Sequence, residues 1–162
     1  MKKALGLCIL ALAIAAPAGA QSGGMTAMQY YVGKWSCTGT QTGQAPSKAL
    51  LTYTLEDGIL VQWVSVPMQG KMKTPYALSA ATTYDSKNGR YVSTNLDSEN
   101  AWSIGYGKMS GNTEQWTDHA NSTGKLGRGE LVRTDASSFT FTSWETVAST
   151  KPSFKAACHK AM

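Results

Sequence analysis

From Lys34 onward the chain repeats one pattern: short runs of alternating apolar and polar residues, broken roughly every 8 to 12 residues by clusters of Gly, Asn, Asp, Pro and Ser. A period of two puts successive side chains on opposite faces of an extended strand. The pattern predicts strands over Lys34–Thr40, Lys48–Leu55, Ile59–Val66, Tyr76–Tyr84 and Arg90–Leu96, then over Ala101–Gly107, Thr113–Thr117, Gly124–Arg133, Ser138–Thr146 and Ser153–His159. Glu56-Asp57-Gly58 and Ser86-Lys87-Asn88-Gly89 supply the residues that tolerate the positive φ of tight hairpins, and Gly111-Asn112 and Thr134-Asp135-Ala136-Ser137 do similar work. About ten short antiparallel strands must hide their edges by packing two sheets or by closing on themselves. Closure is the simpler solution, so the expected fold is all-β: one closed up-and-down antiparallel barrel of about ten strands.

Ahead of this region, Lys2 and Lys3 precede an uncharged, mostly apolar run from Ala4 to Ala16, which Pro17 breaks and Ala18-Gly19-Ala20 follows. That is the layout of a cleavable signal peptide over residues 1–20, with cleavage near Ala20 and a barrel domain over 21–162. The expected destination is the periplasm or the exterior, and the terse leader has a bacterial look. Cys8 lies inside the apolar run and follows Leu7, which is not the placement of a lipoprotein cysteine. Loss of the two leader lysines takes the net charge from +5 to +3. The remaining bases are scattered singly rather than in a stripe that could neutralise a row of phosphates, so nucleic acid is not an expected partner. No second apolar run approaches the roughly twenty residues of a membrane-spanning helix.

Cleavage would also remove Cys8 and leave Cys37 in the first strand and Cys158 in the last. In an oxidising compartment an even pair suggests one disulfide. Barrel closure makes the first and last strands neighbours, which is what the short Cα separation of a disulfide requires. The two expectations support one another.

Met25, Met28, Tyr31 and Val32 fall at helical spacing, with Thr26 near the start and Gly33 at the end, so a short N-terminal helix is predicted before the first strand. This lead-in, followed by Gly33-Lys34-Trp35, resembles the Gly-x-Trp signature of lipocalins and their calycin relatives. The sequence is similar to small exported bacterial proteins of uncharacterised function with a lipocalin-like barrel and, more distantly, to nitrobindin-like ten-stranded barrels. The resemblance implies that Trp35 plugs the closed end beneath a cation from the final strand, with Lys155 the first match and Lys160 the second. The nitrobindin likeness further implies haem ligation through a histidine near the chain's end, a place that His159 occupies.

The functional expectation is a cavity inside the barrel for a small, mainly apolar ligand, lined by some of Trp63, Tyr76, Trp102, Tyr106, Trp116, Phe141 and Trp144. In Ala101–Gly107, Trp102, Ile104 and Tyr106 share one face and Ala101, Ser103, Gly105 and Gly107 the other; one face is buried, and the small face admits close approach of another backbone or a ligand, or the bending of a strongly curved strand. Both faces of Ile59–Val66 are apolar. No catalytic residue is assigned: there is no Gly-x-Ser-x-Gly elbow, and Asp118 and His119, the one adjacent acid–histidine pair, diverge on a strand. Two histidines forty positions apart make a poor metal site. Glu99, Glu114, Asp118 and Glu130 could supply acid–base pairs, although carboxylates near turns are usually solvated. Asn121-Ser122-Thr123 fits the glycosylation acceptor pattern, which matters only for a eukaryotic secretory protein. The leading expectation is thus a non-catalytic carrier. The rivals are a calycin-type isomerase or hydrolase, and an envelope interaction module with a solid core. Protein partners and ligand identity are not specified.

Overall fold

The structure, a computed structural model, describes residues 24–70 and 72–161. The signal peptide expected over residues 1–20 lies outside the described residues. A seven-residue 3₁₀ helix (Met25–Tyr31) is followed by β1 (Gly33–Gln41), β2 (Ser47–Glu56), β3 (Ile59–Val66), β4 (Tyr76–Asp85) and β5 (Arg90–Asp97). Then come β6 (Trp102–Ser110), β7 (Thr113–Asn121), β8 (Arg128–Asp135), β9 (Ser138–Trp144) and β10 (Phe154–Lys160). Each strand pairs antiparallel with the next, and β10 returns to β1, so the ten strands form a closed up-and-down barrel. The hairpin chemistry is as the sequence requires: Asp57 and Gly58 both have positive φ (49° and 78°), the geometry of a two-residue turn that matches strand twist.

The seam between first and last strands is covalent. Cys37 and Cys158 face each other in the β1–β10 register and form a disulfide, with their Cα atoms 4.0 Å apart.

The helix closes one end of the barrel. Sequence spacing alone suggests ordinary helical turns, whereas the segment winds as 3₁₀ over seven residues, a long run for that form, which the contacts below hold in place. Met28 and Tyr31 are buried, the Tyr91 hydroxyl on β5 donates to Gly24 O (3.2 Å), and Arg133 on β8 donates from Nη2 to Ala27 O (2.9 Å). Gly33, at φ 122°, makes the bend into β1 that a side chain would resist. Two residues on, Trp35 is completely buried; its Nε1 donates to Tyr31 O (2.7 Å), and its ring meets Phe139 edge-on at 4.8 Å between centroids. The cation beside it is Lys160, with Nζ 5.3 Å from the ring centroid. Lys155 does not take this place. It sits on the outer face of β10, level with Thr40 and far up the strand from Trp35, whereas Lys160 is the direct register partner of Trp35 and shares its face.

Candidate functional site

The inner wall keeps its centre open through a recurrent device. Gly39, Gly107 and Gly129 all face inward, and each is covered by an aromatic ring from a neighbouring strand: Phe154, Trp116 and Phe141. A Cβ on Gly39 would collide with the Phe154 ring, one on Gly107 would lie 2.7 Å from the Trp116 indole, and one on Gly129 would lie 3.1 Å from Phe141. The rings therefore lie flat along the wall instead of projecting across the lumen. This explains the small face of β6: Ser103, Gly105 and Gly107 point inward, and the bulky face points out. We expect Gly107→Ala to lift Trp116 off the wall and lower stability by about 1–3 kcal/mol, the usual cost of overpacking, measurable by urea unfolding.

The space left is a cavity of about 960 Å³ that runs from the helix-capped end to the opposite rim. That size is typical of pockets for small molecules. Its middle is lined by Leu51, Leu60, Val64, Leu78 and Leu131, with Cys37 and Cys158 on the seam side. The rim is polar, with Gln44, Glu99 and Glu145 exposed there. Rim groups are internally matched: the Tyr76 hydroxyl donates to Asp97 Oδ2 (3.1 Å), and Asp118 Oδ2 accepts from Gly127 N (3.0 Å) and Asn121 Nδ2 (3.2 Å). Burial, and then the Asp97 charge, pushes the Tyr76 hydroxyl above its ordinary pKa, so it stays protonated.

The floor differs from the rest. Glu114 on β7 is only 2% exposed; its Oε1 accepts from Arg133 Nη2 at 2.9 Å, and its Oε2 lies 3.4 Å from Trp116 Nε1. Tyr31 stands beside this ion pair, and its buried hydroxyl makes no hydrogen bond. Burial, reinforced by the Glu114 charge, raises the pKa of Tyr31 and of Tyr53, so both keep their protons. Tyr53 is satisfied by Gln62, whose Nε2 donates to its hydroxyl oxygen at 2.7 Å. The Tyr31 hydroxyl lies beside both Glu114 and Arg133, and the Arg133 Nε next to it is likewise buried without a partner.

Of the seven aromatics proposed from sequence, Tyr76, Trp116 and Phe141 line the cavity, and Trp144 borders its rim beneath the Arg128 guanidinium, 3.6 Å from the ring centroid. The other three are on the outside. Trp63 (60% exposed) and Trp102 (44%) stand in one outer row with Ser79 and Leu96, and Tyr106 is held between Arg90 and His119. The reason is parity: Leu60, Gln62 and Val64 take the inner face of β3, which sends Trp63 outward, and the glycine face of β6 turns in, which sends Trp102 and Tyr106 out. Phe139, Phe154 and Tyr53 are further inner aromatics, absent from the seven candidates. Glu114, a carboxylate near a turn of the kind usually solvated, is instead buried and paired with Arg133. Its position two residues from Trp116, on the same strand face, was the available signal.

Haem ligation from His159 does not fit. Cys158 takes the inner face of β10, so the next residue points out; His159 is exposed, with Nδ1 2.9 Å from Ser138 Oγ. His119, within β7, also faces out, against Tyr106. No histidine lines the cavity among the described residues.

No protein-family model matches the chain, and no curated protein matches it significantly. Among solved structures it is similar to Rv2717c from M. tuberculosis, with a TM-score of 0.62 and 11% identity over 85% of this chain and 97% of that one. It also resembles a redesigned β-barrel, with a TM-score of 0.49 and 11% identity over 83% of this chain and 94% of that one. At such identity the likeness to Rv2717c is one of fold.

Proposed function

We propose that the protein is an exported, non-catalytic carrier with a lipocalin-like barrel that holds a small, mainly apolar molecule. The observation that carries this reading is the cavity of about 960 Å³, walled by leucine, valine and aromatic side chains and continuous with a polar rim. A solid-core interaction module is disfavoured by the same hollow. Binding is favoured over catalysis because the inner carboxylates are already engaged, Glu114 by Arg133 and Asp118 by Gly127 N and Asn121. Export rests on the leader-like residues 1–20 and is supported by the Cys37–Cys158 bridge, which persists in an oxidising compartment. Intact mass of protein recovered from the periplasm or medium should show cleavage near Ala20.

The carrier reading is tested with N-phenyl-1-naphthylamine, an apolar dye that brightens when it leaves water. Saturable brightening is expected with the wild type. Gly105 lines the cavity, and a Cβ there would meet nothing closer than 3.5 Å, so Gly105→Phe should place a ring in the lumen without backbone strain. Loss of dye binding in that variant, with its far-ultraviolet spectrum unchanged, is the expected result. Absence of dye binding to the wild type, or undiminished binding to folded Gly105→Phe, would overturn the reading.

A further inference from the structure

We infer that the open rim docks on an anionic phospholipid surface with the cavity mouth against the lipid, so that an apolar ligand passes between bilayer and barrel without crossing water. The docking stands on surface chemistry alone, and its use for ligand transfer rests on the carrier reading. Among the described residues eight large apolar side chains are exposed, and only one of them, Ile59, belongs to the helix-capped end. The others lie in the half of the barrel nearer the rim. Apolar side chains exposed singly are ordinary on a protein surface, but their collection at one end marks a contact site. Met68, Leu126 and Val147 project from the rim loops 67–75, 122–127 and 145–153. Trp63, Leu96 and Trp102 follow on the outer wall behind them, in one row across β3 to β6.

Backbone contacts link these groups around the mouth. Val147 N donates to Leu126 O (3.0 Å), Ser122 N donates to Trp102 O (2.9 Å), and the Gln69 side chain, next to Met68, bonds the backbone N and O of Lys48 (2.8 Å each). The result is an arc of separate tips from β2 to β9 around an opening. A fluid bilayer interface moulds itself to such tips, whereas a protein partner needs one continuous, shape-matched patch. With the tips inserted, Trp63 and Trp102 stand at headgroup depth, where indole rings are favoured. Charge selects the lipid. Around the rim Lys48, Lys73, Lys151 and Lys155 are exposed and in no ion pair among the described residues, against Glu99 as the one such carboxylate. Asp97 and Asp118 are engaged in hydrogen bonds within the barrel, and Glu145 pairs with Lys125 at 2.9 Å. Lysines beside an apolar insertion add attraction to anionic headgroups, which salt screens.

The test is flotation with vesicles of phosphatidylglycerol or phosphatidylcholine, using protein recovered from the periplasm or medium. The wild type should bind phosphatidylglycerol more tightly than phosphatidylcholine, and less tightly as salt is added. Met68→Ser/Leu126→Ser/Val147→Ser should weaken binding by at least about tenfold, the worth of burying even one such side chain, whereas Ile59→Ser at the other end should not. These three side chains lie outside the cavity lining, so the triple variant should keep its dye binding, measured without vesicles. Brominated phosphatidylglycerol should quench wild-type tryptophan emission, and Trp63→Phe/Trp102→Phe should remove most of that quenching. No binding to phosphatidylglycerol, undiminished binding by the triple variant, equal loss in Ile59→Ser, or quenching unchanged in the tryptophan variant would each overturn the docking and leave the carrier intact. So would self-association of the wild type without vesicles through the same side chains, which makes the rim a protein interface. Vesicle binding by a wild type that fails to bind dye would sink ligand transfer together with the carrier and keep the docking.

Discussion

Replacing Cys37 and Cys158 together by alanine is expected to lower stability by about 4 kcal/mol, read as a fall in the urea midpoint with the slope little changed. The bridge spans a sequence separation of 121, and a crosslink over so long a loop removes much of the freedom of the unfolded chain. Both side chains are buried, so alanine adds a small packing loss without leaving a hydroxyl unpaired. The backbone pairing of β1 with β10, seven register pairs from Trp35–Lys160 to Gln41–Phe154, survives the change. The variant should therefore fold, but to a less stable barrel. A loss below about 1 kcal/mol would mean that this pairing holds the seam without the bridge.

Arg133→Met should cost about 3–5 kcal/mol, the range for removing one partner of a buried ion pair. Glu114 is almost wholly enclosed and Arg133 nearly so, and Arg133 also anchors the helix through Ala27 O. Without the guanidinium, Glu114 must take up a proton or draw in water, and the helix loses a tie to β8. The double variant Glu114→Gln/Arg133→Met should recover a large part of the loss, because no uncompensated charge remains. A double-mutant cycle from urea unfolding at constant pH measures this coupling. If Arg133→Met is no less stable than the double variant, the pair is not what makes the floor polar and firm.

The fold was legible in the sequence because it depends on two coarse signals, period-two alternation and turn chemistry, both of which act locally. Every predicted strand is present, with shifts at the ends. β8 starts at Arg128 rather than Gly124 because Asn121 organises the preceding loop: its Oδ1 accepts from Thr123 N (3.1 Å), and its Nδ2 donates to Lys125 O. The same residue ends β7, which runs four residues past the predicted Thr117. The site was less legible. Alternation separates the two faces of a strand but does not say which is inner, and closure decides that for all ten strands together. Apolarity was a poor guide on β6, where the inner face is the small one because Trp116 from β7 already occupies the space above Gly107. Trp102 and Tyr106 face out for this reason, and Trp63 does because Leu60, Gln62 and Val64 take the inner face of β3. Glu114 was missed because its burial depends on Arg133, nineteen residues away on another strand.

The seam also governs the order of events during folding. Nine of the ten strand pairings join neighbours in sequence and can form as successive hairpins, but the tenth needs β10 beside β1. Long-range pairings of this kind are slow, because a large loop must close before any contact offsets the lost freedom. Until then β1 and β10 both present open edges, and the cavity has an incomplete wall. The barrel therefore closes around its cavity in one late step rather than strand by strand. If the chain is exported from its N-terminus, as proposed above, that step waits until the segment around Cys158 has crossed, and the cavity is completed only on the far side.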